Sequence, residues 1–459
     1  MTEVSVSYDP GNKTPGVRWY LSAPMSRESY AVWGVSPFDI SVCLLMAIFF
    51  WVSAILPLWD GWAVDFSAYY YAGHFYGTGQ HDMIYAGPPD IIGPEMPLEW
   101  QQAVASSGHP KAGAYPYIYL PWVAALMAPV ANTVSPLAAM NAVLLVNGLL
   151  LLGSSFLAWR IIGRGKMPLA IWMAASVLML ITLATSVIAL YLGQVQILVY
   201  AAVLLAFDRL QAGKESQAGL ALALAACLKI TPAAFAIIFL WNRNWKALAA
   251  FLAACLGFAA TSIALIGWPL HAQYFDLMAR LNATVFMANV GISAEGFLYQ
   301  IVEILKGTAP LYLDKEHSVP KPLWIELAVK GGFVAGLVWT WIATRKLPKQ
   351  RRIAFQLFAL AVLVPLMAPL GWVHYYLIVA MMLPVFLNTR QALQITAFAA
   401  FVLVLNVYSM SALVEPGYRV MWQFMAGVPV MVLTYLAVLY QALQEQRSDP
   451  NQKPASESP

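Results

Sequence analysis

The chain is 459 residues long, 61% hydrophobic and only 10% charged, with a formal net charge of +4 and a mean hydropathy of +0.67. Ordinary soluble domains carry about 25% charged residues, so water is not the principal solvent of this chain, and no basic stripe offers a footprint for nucleic acid. Cys43, Cys227 and Cys255 all fall inside apolar runs, where they pack as small hydrophobes rather than build a disulfide framework.

Residues 1–38 form a polar leading segment. The apolar run at 39–58 follows, and because no small-residue cleavage site comes after it, it reads as a retained span and not a signal peptide. Further apolar runs occupy 137–161, 168–190, 194–209, 216–229, 231–242, 245–267, 323–344, 353–370, 373–389, 393–411 and 421–441. Apolar runs of about 20 residues are long enough to cross a hydrocarbon core of about 30 Å as helices, and the alternating period of barrel strands is missing. The expected fold class is all-α, a polytopic membrane protein of about twelve transmembrane helices forming one membrane-embedded domain over 39–441.

The basic clusters Arg160/Arg164/Lys166, Arg209/Lys214, Arg243/Lys246, Arg345/Lys346/Lys349/Arg351/Arg352 and Arg390 fall on alternate connections, so the positive-inside rule places these connections and both termini in the cytoplasm. Two long connections, 59–116 and 268–322, then lie outside, and their tryptophans and tyrosines suit interfacial helices. The short apolar segment 117–131 joins two outer points and is expected to be a re-entrant or half-span helix. Residues 442–459 are expected to be a disordered cytoplasmic tail. No internal repeat marks an inverted-repeat transporter.

Several residues are out of place in such a chain. Asp65, in Val64-Asp65-Phe66-Ser67-Ala68-Tyr69-Tyr70-Tyr71-Ala72-Gly73, is a carboxylate just past the first span, costly there unless paired or wetted; it is either a reactive group or the N-cap of a short helix whose aromatic residues face lipid. Lys229 interrupts the apolar run 217–241, and Pro232 removes a backbone donor beside it. The segment is either a helical hairpin with its apex at Lys229-Ile230-Thr231-Pro232, opening outward, or one kinked span with the lysine snorkelling. His374, in Trp372-Val373-His374-Tyr375-Tyr376, is chemically suited to proton transfer and equally to packing. Gly193-Gln194-Val195 and Tyr115-Pro116-Tyr117 open helices at the same face, and the second long loop adds Arg280, Asn289, Ser293 and Glu295. The scattered histidines give no metal pattern, and no phosphate-binding glycine loop exists to drive the chain with a nucleotide.

In this order along residues 60–385, Asp65-Phe66-x-x-Tyr69-Tyr70-x-Ala72-Gly73, Tyr115-Pro116, Gly193-Gln194-Val195, Gly219 through Lys229-x-x-Pro232, and Trp372-x-His374 resemble the polyprenol-phosphate-sugar-dependent glycosyltransferases of the GT-C superfamily. The likeness is greatest to glycosyltransferase family 87, which includes mycobacterial phosphatidylinositol-mannoside mannosyltransferases. Tyr117 stands where that family tends to a second proline, and Asn289-Val290-Gly291-Ile292-Ser293 where it tends to an Asn-Gln-Ser run. The resemblance implies a GT-C fold and an inverting enzyme that moves mannose or a similar sugar from a polyprenyl-phosphate donor to a glycolipid or polysaccharide acceptor, without a cofactor. It implies a bacterial inner membrane, surrounding lipids as partners, and a site on the outer side. Asp65 would be the general base and His374 a catalytic neighbour, while Lys229, Gln194 and Arg280 would hold the donor phosphate. Tyr69, Tyr115, Tyr117, Trp372, Asn289 and Glu295 would contact substrate. The competing expectations are a lipid or solute transporter with Lys229 and His374 as relays, and a ligase or polymerase using lipid pyrophosphate.

Overall fold

A computed structural model of the chain describes residues 35–87, 96–287, 291–308, 317–409 and 423–447. The greater part of the expected leading segment, the tail beyond Arg447, and Asn289 lie outside these residues. The helices are α1 (Pro37–Leu58), α2 (Val64–Gly77), α3 (Leu98–Ser106), α4 (Pro121–Thr133), α5 (Pro136–Gly163), α6 (Leu169–Thr182), α7 (Ala184–Tyr191), α8 (Gln196–Gln211), α9 (Glu215–Leu228) and α10 (Thr231–Trp241). They continue with α11 (Trp245–Ile266), α12 (Trp268–Asn282), α13 (Ala294–Leu305), α14 (Leu323–Thr344), α15 (Lys349–Leu366), α16 (Val373–Asn388), α17 (Ala392–Leu405) and α18 (Met425–Arg447). A two-stranded antiparallel ribbon interrupts the helices, β1 (Thr284–Met287) pairing with β2 (His317–Pro320) in the register Thr284↔Pro320. Strands this short carry no periodic signal, and the all-α expectation missed them.

Among the described residues five helices are long and apolar enough to cross a membrane: α1, α5, α11, α14 and α18. The other expected spans exist as shorter or broken helices. The run at 168–190 divides into α6 and α7 at Leu183, which forms a bridge with Asn406. The segment expected to be a half-span is α4, 13 residues long and so about 20 Å at 1.5 Å per residue, short of a full crossing. The bundle centre is made by α15, buried at every position from Ile353 to Leu366, and by α16.

Local sequence explains the ends. Ser36 and Asp39 form a capping box at the start of α1, each side chain accepting the other's backbone N–H, with Pro37 at the first helical position. The remaining Asp39 oxygen accepts from Ala170 N at 2.9 Å and ties α1 to α6. The last helix runs to Arg447, past the expected tail boundary at 442, because Glu445 accepts from Arg351 at 2.8 Å and from Lys166 at 2.6 Å. An ion pair between three chain segments gives those residues a fixed place that composition does not reveal.

The basic connections gather at one end of the bundle. Arg160 pairs with Asp208 at 2.8 Å, Arg351 donates to Ile162 O at 3.0 Å, Arg352 donates to Asn242 at 2.6 Å, and Asn388 donates to Lys166 O at 2.7 Å. At this end Asn244 also donates to Glu215 at 2.8 Å, which joins the beginnings of α9 and α11. A Cβ on Gly219 would lie 2.2 Å from Ala247 O, so the two helices approach backbone to backbone and run in the same direction. Parallel neighbours require the chain to return between them, and α10 is the return. The geometry therefore selects the hairpin over the kinked span, with Lys229 at its apex away from the basic end.

The connection 59–116 is ordered over α2 and α3. The aromatic residues after Asp65 do not face lipid, as the capping alternative supposed: Phe66, Tyr69, Tyr70 and Tyr71 are all buried, and Tyr70 donates to Ala131 O and Val134 O at 3.1 and 2.7 Å, locking α2 onto α4. With the native cysteines removed, single cysteines at Lys214 and Lys246 should both react with an impermeant thiol reagent from the same side of membrane vesicles. Reaction from opposite sides would contradict the hairpin.

Candidate active site

Asp65 sits in the first turn of α2, where the helix N-terminus favours a carboxylate. The N-cap is Ala63, which makes no side-chain cap, so Asp65 is not the cap. Phe66 N donates to Leu192 O at 3.1 Å and draws this turn against the loop that ends α7. There Gly193 adopts φ +67, a left-handed turn that suits glycine and aims the next side chain back at α2. The Gln194 side-chain amide donates to Asp65 Oδ2. Gln194, expected as a phosphate ligand, holds the carboxylate through its amide nitrogen.

Lys229 ends α9. Its backbone is extended, and Pro232 begins a tight 3-10 turn that lacks the donor needed to continue the α-helix. The Nζ donates to Tyr375 Oη at 2.6 Å and lies 3.9 Å from the centroid of that ring and 5.7 Å from that of Tyr119. The charge of Asp65 reaches Lys229 and also Tyr69, Tyr119 and Tyr375. Anion, cation and aromatic wall thus form one electrostatic unit drawn from α2, the segment before α4, α9 and α16.

His374 is 2% exposed, its ring edge-on to Tyr375 at 4.9 Å. Neither ring nitrogen has a hydrogen-bond partner among the described residues, nor has Gln194 Oε1. Buried polar atoms are rarely left unpaired, and three such atoms beside Asp65 and Lys229 leave hydrogen-bonding capacity open at this place. The turn carrying His374 is fixed from outside: Tyr200 donates to Tyr375 O at 2.6 Å, Tyr376 donates to Ile292 O at 2.7 Å, and Gly291 bridges Trp372.

Tyr69, Tyr117 and Tyr119 form the aromatic wall, with ring centroids 4.2 Å apart for Tyr69–Tyr119 and 5.7 Å for Tyr117–Tyr119. Tyr85 continues it at 5.5 Å from Tyr117. Burial pushes the Tyr85 hydroxyl far above its ordinary pKa, and it donates to Tyr119 O at 2.6 Å. Below the wall a cavity of about 310 Å³ runs along Lys229, Tyr375, Leu228, Tyr274, Met278 and Pro369.

The structure therefore brings together Asp65, Gln194, Lys229, His374, Tyr69 and Tyr117. It does not bring two others. Arg280 is exposed on α12 and is not among the residues lining the cavity that its neighbours Met278 and Leu281 line; Tyr115 lines a small separate pocket with Trp100 and Met96. Trp372 is half-buried on the Gly291 bridge. Glu295 lies in an adjoining cavity paired with Lys321. Sequence reasoning missed Tyr375 and Tyr119 as the groups that house Lys229. The signal for Tyr119 was its spacing of two from Tyr117 in a non-helical segment, where alternate side chains share a side.

The sequence profile of glycosyltransferase family 87 matches residues 117–369, more than half of the chain. The chain belongs to glycosyltransferase family 87. Membership makes it a glycosyltransferase and sets aside the transporter. Within the family 87 match lie Tyr117, Gln194 and Lys229, whereas Asp65 stands well before its first residue and His374 shortly after its last, and both join the site through packing. No curated protein matches the chain.

Because Gly371 has φ +26 and a Cβ there would lie 2.7 Å from Ile292 O, Gly371→Val should force the His374 turn off the 291–293 segment. The expected cost is about 1–3 kcal/mol, typical of overpacking, measured as a lowered thermal midpoint in detergent. An unchanged midpoint would show that the junction is loose.

Proposed function

We propose that this glycosyltransferase uses a polyprenyl-phosphate sugar as donor and transfers the sugar, mannose or a similar hexose or pentose, to a hydroxyl of a glycolipid or glycan. The observation that carries the proposal is a carboxylate held by a glutamine amide, Asp65 with Gln194, facing a half-buried lysine at the tip of a broken membrane helix. The site lies at the end of the bundle opposite the basic connections, and by the positive-inside rule that end is the outer one.

A sugar attached to a lipid phosphate already carries a good leaving group, so one base suffices where hydrolysis of a glycoside needs two carboxylates. Asp65 takes the proton of the acceptor hydroxyl as its oxygen attacks the anomeric carbon. The bond from that carbon to the phosphate oxygen breaks on the opposite side, inverting the centre, and the departing phosphate monoester keeps the electron pair and gains one negative charge. Lys229 meets that charge in a low-dielectric site, where a positioned cation counts most. Gln194 fixes the carboxylate, Tyr375 fixes the ammonium, and the tyrosine wall offers faces to the sugar carbons. The proton on Asp65 passes to water as product leaves.

With a labelled polyprenyl-phosphate sugar, Asp65→Asn should lower transfer by about 10²–10⁴-fold, the usual contribution of a general base; full activity would remove Asp65 from the chemistry. Lys229→Ala should lower kcat/KM for the donor by about 10²–10³-fold, the loss seen when one charge-stabilising donor is removed. An unchanged value would take the phosphate away from Lys229.

A further inference from the structure

A second cavity, of about 320 Å³, adjoins the one beneath Lys229, and Asn282 and Pro369 line both. Its floor is an ion pair: Glu295, in the first turn of α13, accepts from Lys321 at 2.7 Å, and both side chains are only 5% exposed. Ser293 caps α13 by accepting from Gly296 N at 3.2 Å, and Lys321 N donates to Ala283 O at 2.8 Å, so both members stand on anchored backbone. The second carboxylate oxygen, Glu295 Oε2, is buried without a hydrogen-bond partner among the described residues. Burial holds this carboxyl above the usual range, with Lys321 opposing the shift, as befits a group lacking part of its solvation. An ionised carboxylate accepts several hydrogen bonds, and here one whole oxygen waits for a donor.

The remaining walls decide what that donor belongs to. Phe333 and Met367 give the cavity an apolar side, and its mouth carries a second pair, Glu326 with Lys330. Each cation is thus matched by an anion, and the cavity selects no net charge, unlike the Lys229 groove with its cation toward a phosphate. A volume of this size falls at the small end of ligand sites, about 300–1,000 Å³. One polar floor, one apolar wall and no net charge are the requirements of a single hydroxyl-rich ring.

We propose that this cavity is the acceptor subsite and takes a neutral polyol headgroup, one hydroxyl donating to Glu295 Oε2, a neighbour accepting from Lys321, and the carbon face resting on Phe333. The assignment rests on the glycosyl-transfer reading above, and it makes Glu295 a substrate-contacting residue that leaves the base role to Asp65. The shared wall at Asn282 and Pro369 sets the headgroup beside the donor.

The test uses the full-length protein in lipid nanodiscs, with radiolabelled octyl glucopyranoside below its micellar concentration and octyl phosphate as probes, and empty discs as the blank. Octyl glucopyranoside should bind saturably, about tenfold more weakly in Glu295→Gln, the scale of one lost charge-assisted hydrogen bond, and within twofold of wild type in Lys229→Ala. Octyl phosphate should show the reverse. Glu295→Gln strands Lys321, so Phe333→Ala serves as a second variant that leaves the ion pair intact and should also weaken octyl glucopyranoside. The proposal is overturned if wild type shows no saturable binding, if binding survives both variants unchanged, or if Glu295→Gln weakens octyl phosphate equally. Full transfer by Asp65→Asn would instead defeat the catalytic reading while these binding data stood.

Discussion

The structure turns on a lysine that has to be housed inside an apolar bundle. An ammonium among apolar helices costs up to about 3 kcal/mol by insertion scales, the figure for the centre of a span. A hydrogen bond to a charged group contributes about 1.5–3 kcal/mol, and a desolvated cation–π contact about 2 kcal/mol. Lys229 makes both with Tyr375, so the two terms are of the size needed to offset the cost. The rest of the site follows from keeping Tyr375 in place: its carbonyl accepts from Tyr200, its neighbour Tyr376 is held to Ile292, and the 291–293 segment is stitched to the Gly371 turn.

Broken helices are tolerated in such a setting only where protein covers the freed backbone. The hairpin apex at Lys229, the Gly193 turn and the His374 turn all converge on one site, and each break is covered by another segment. Leu192 O receives Phe66 N, and Trp122 donates to Cys227 O at 2.8 Å in the last turn of α9. The helices α2 and α4, too short to span, supply that cover. The breaks that make a membrane fold expensive are thus the places where it gathers polar groups, and the second cavity beside them extends the same surface toward α13 and α14.

Much of the fold was legible in the sequence because it depends on local properties. Hydropathy placed the five long apolar helices, though not the shorter helices of the two long connections, and the basic clusters marked one end of the bundle. Asp65, Lys229 and His374 stood out because a polar or charged group in an apolar run is anomalous wherever it points. That the last helix runs on to Arg447 was not legible because the Glu445 ion pair spans segments nearly a hundred residues or more apart. The placement of Arg280 and Tyr115 apart from the cavity was not legible for a related reason: residue type and loop position do not tell which side of a short helix or strand-like segment a side chain takes.

The sequence by itself determined the solvent, the helices, their polarity and the few costly groups, since each follows from side-chain transfer energies read along a short window. Tertiary structure alone decided how those groups met. It chose the hairpin over the kinked span through the Glu215–Asn244 contact, turned Gln194 onto a carboxylate 129 positions away, and set Tyr375 against a lysine 146 positions away. Contacts at such separations depend on helix packing within the bundle, and packing is a property of many residues at once that no local window contains.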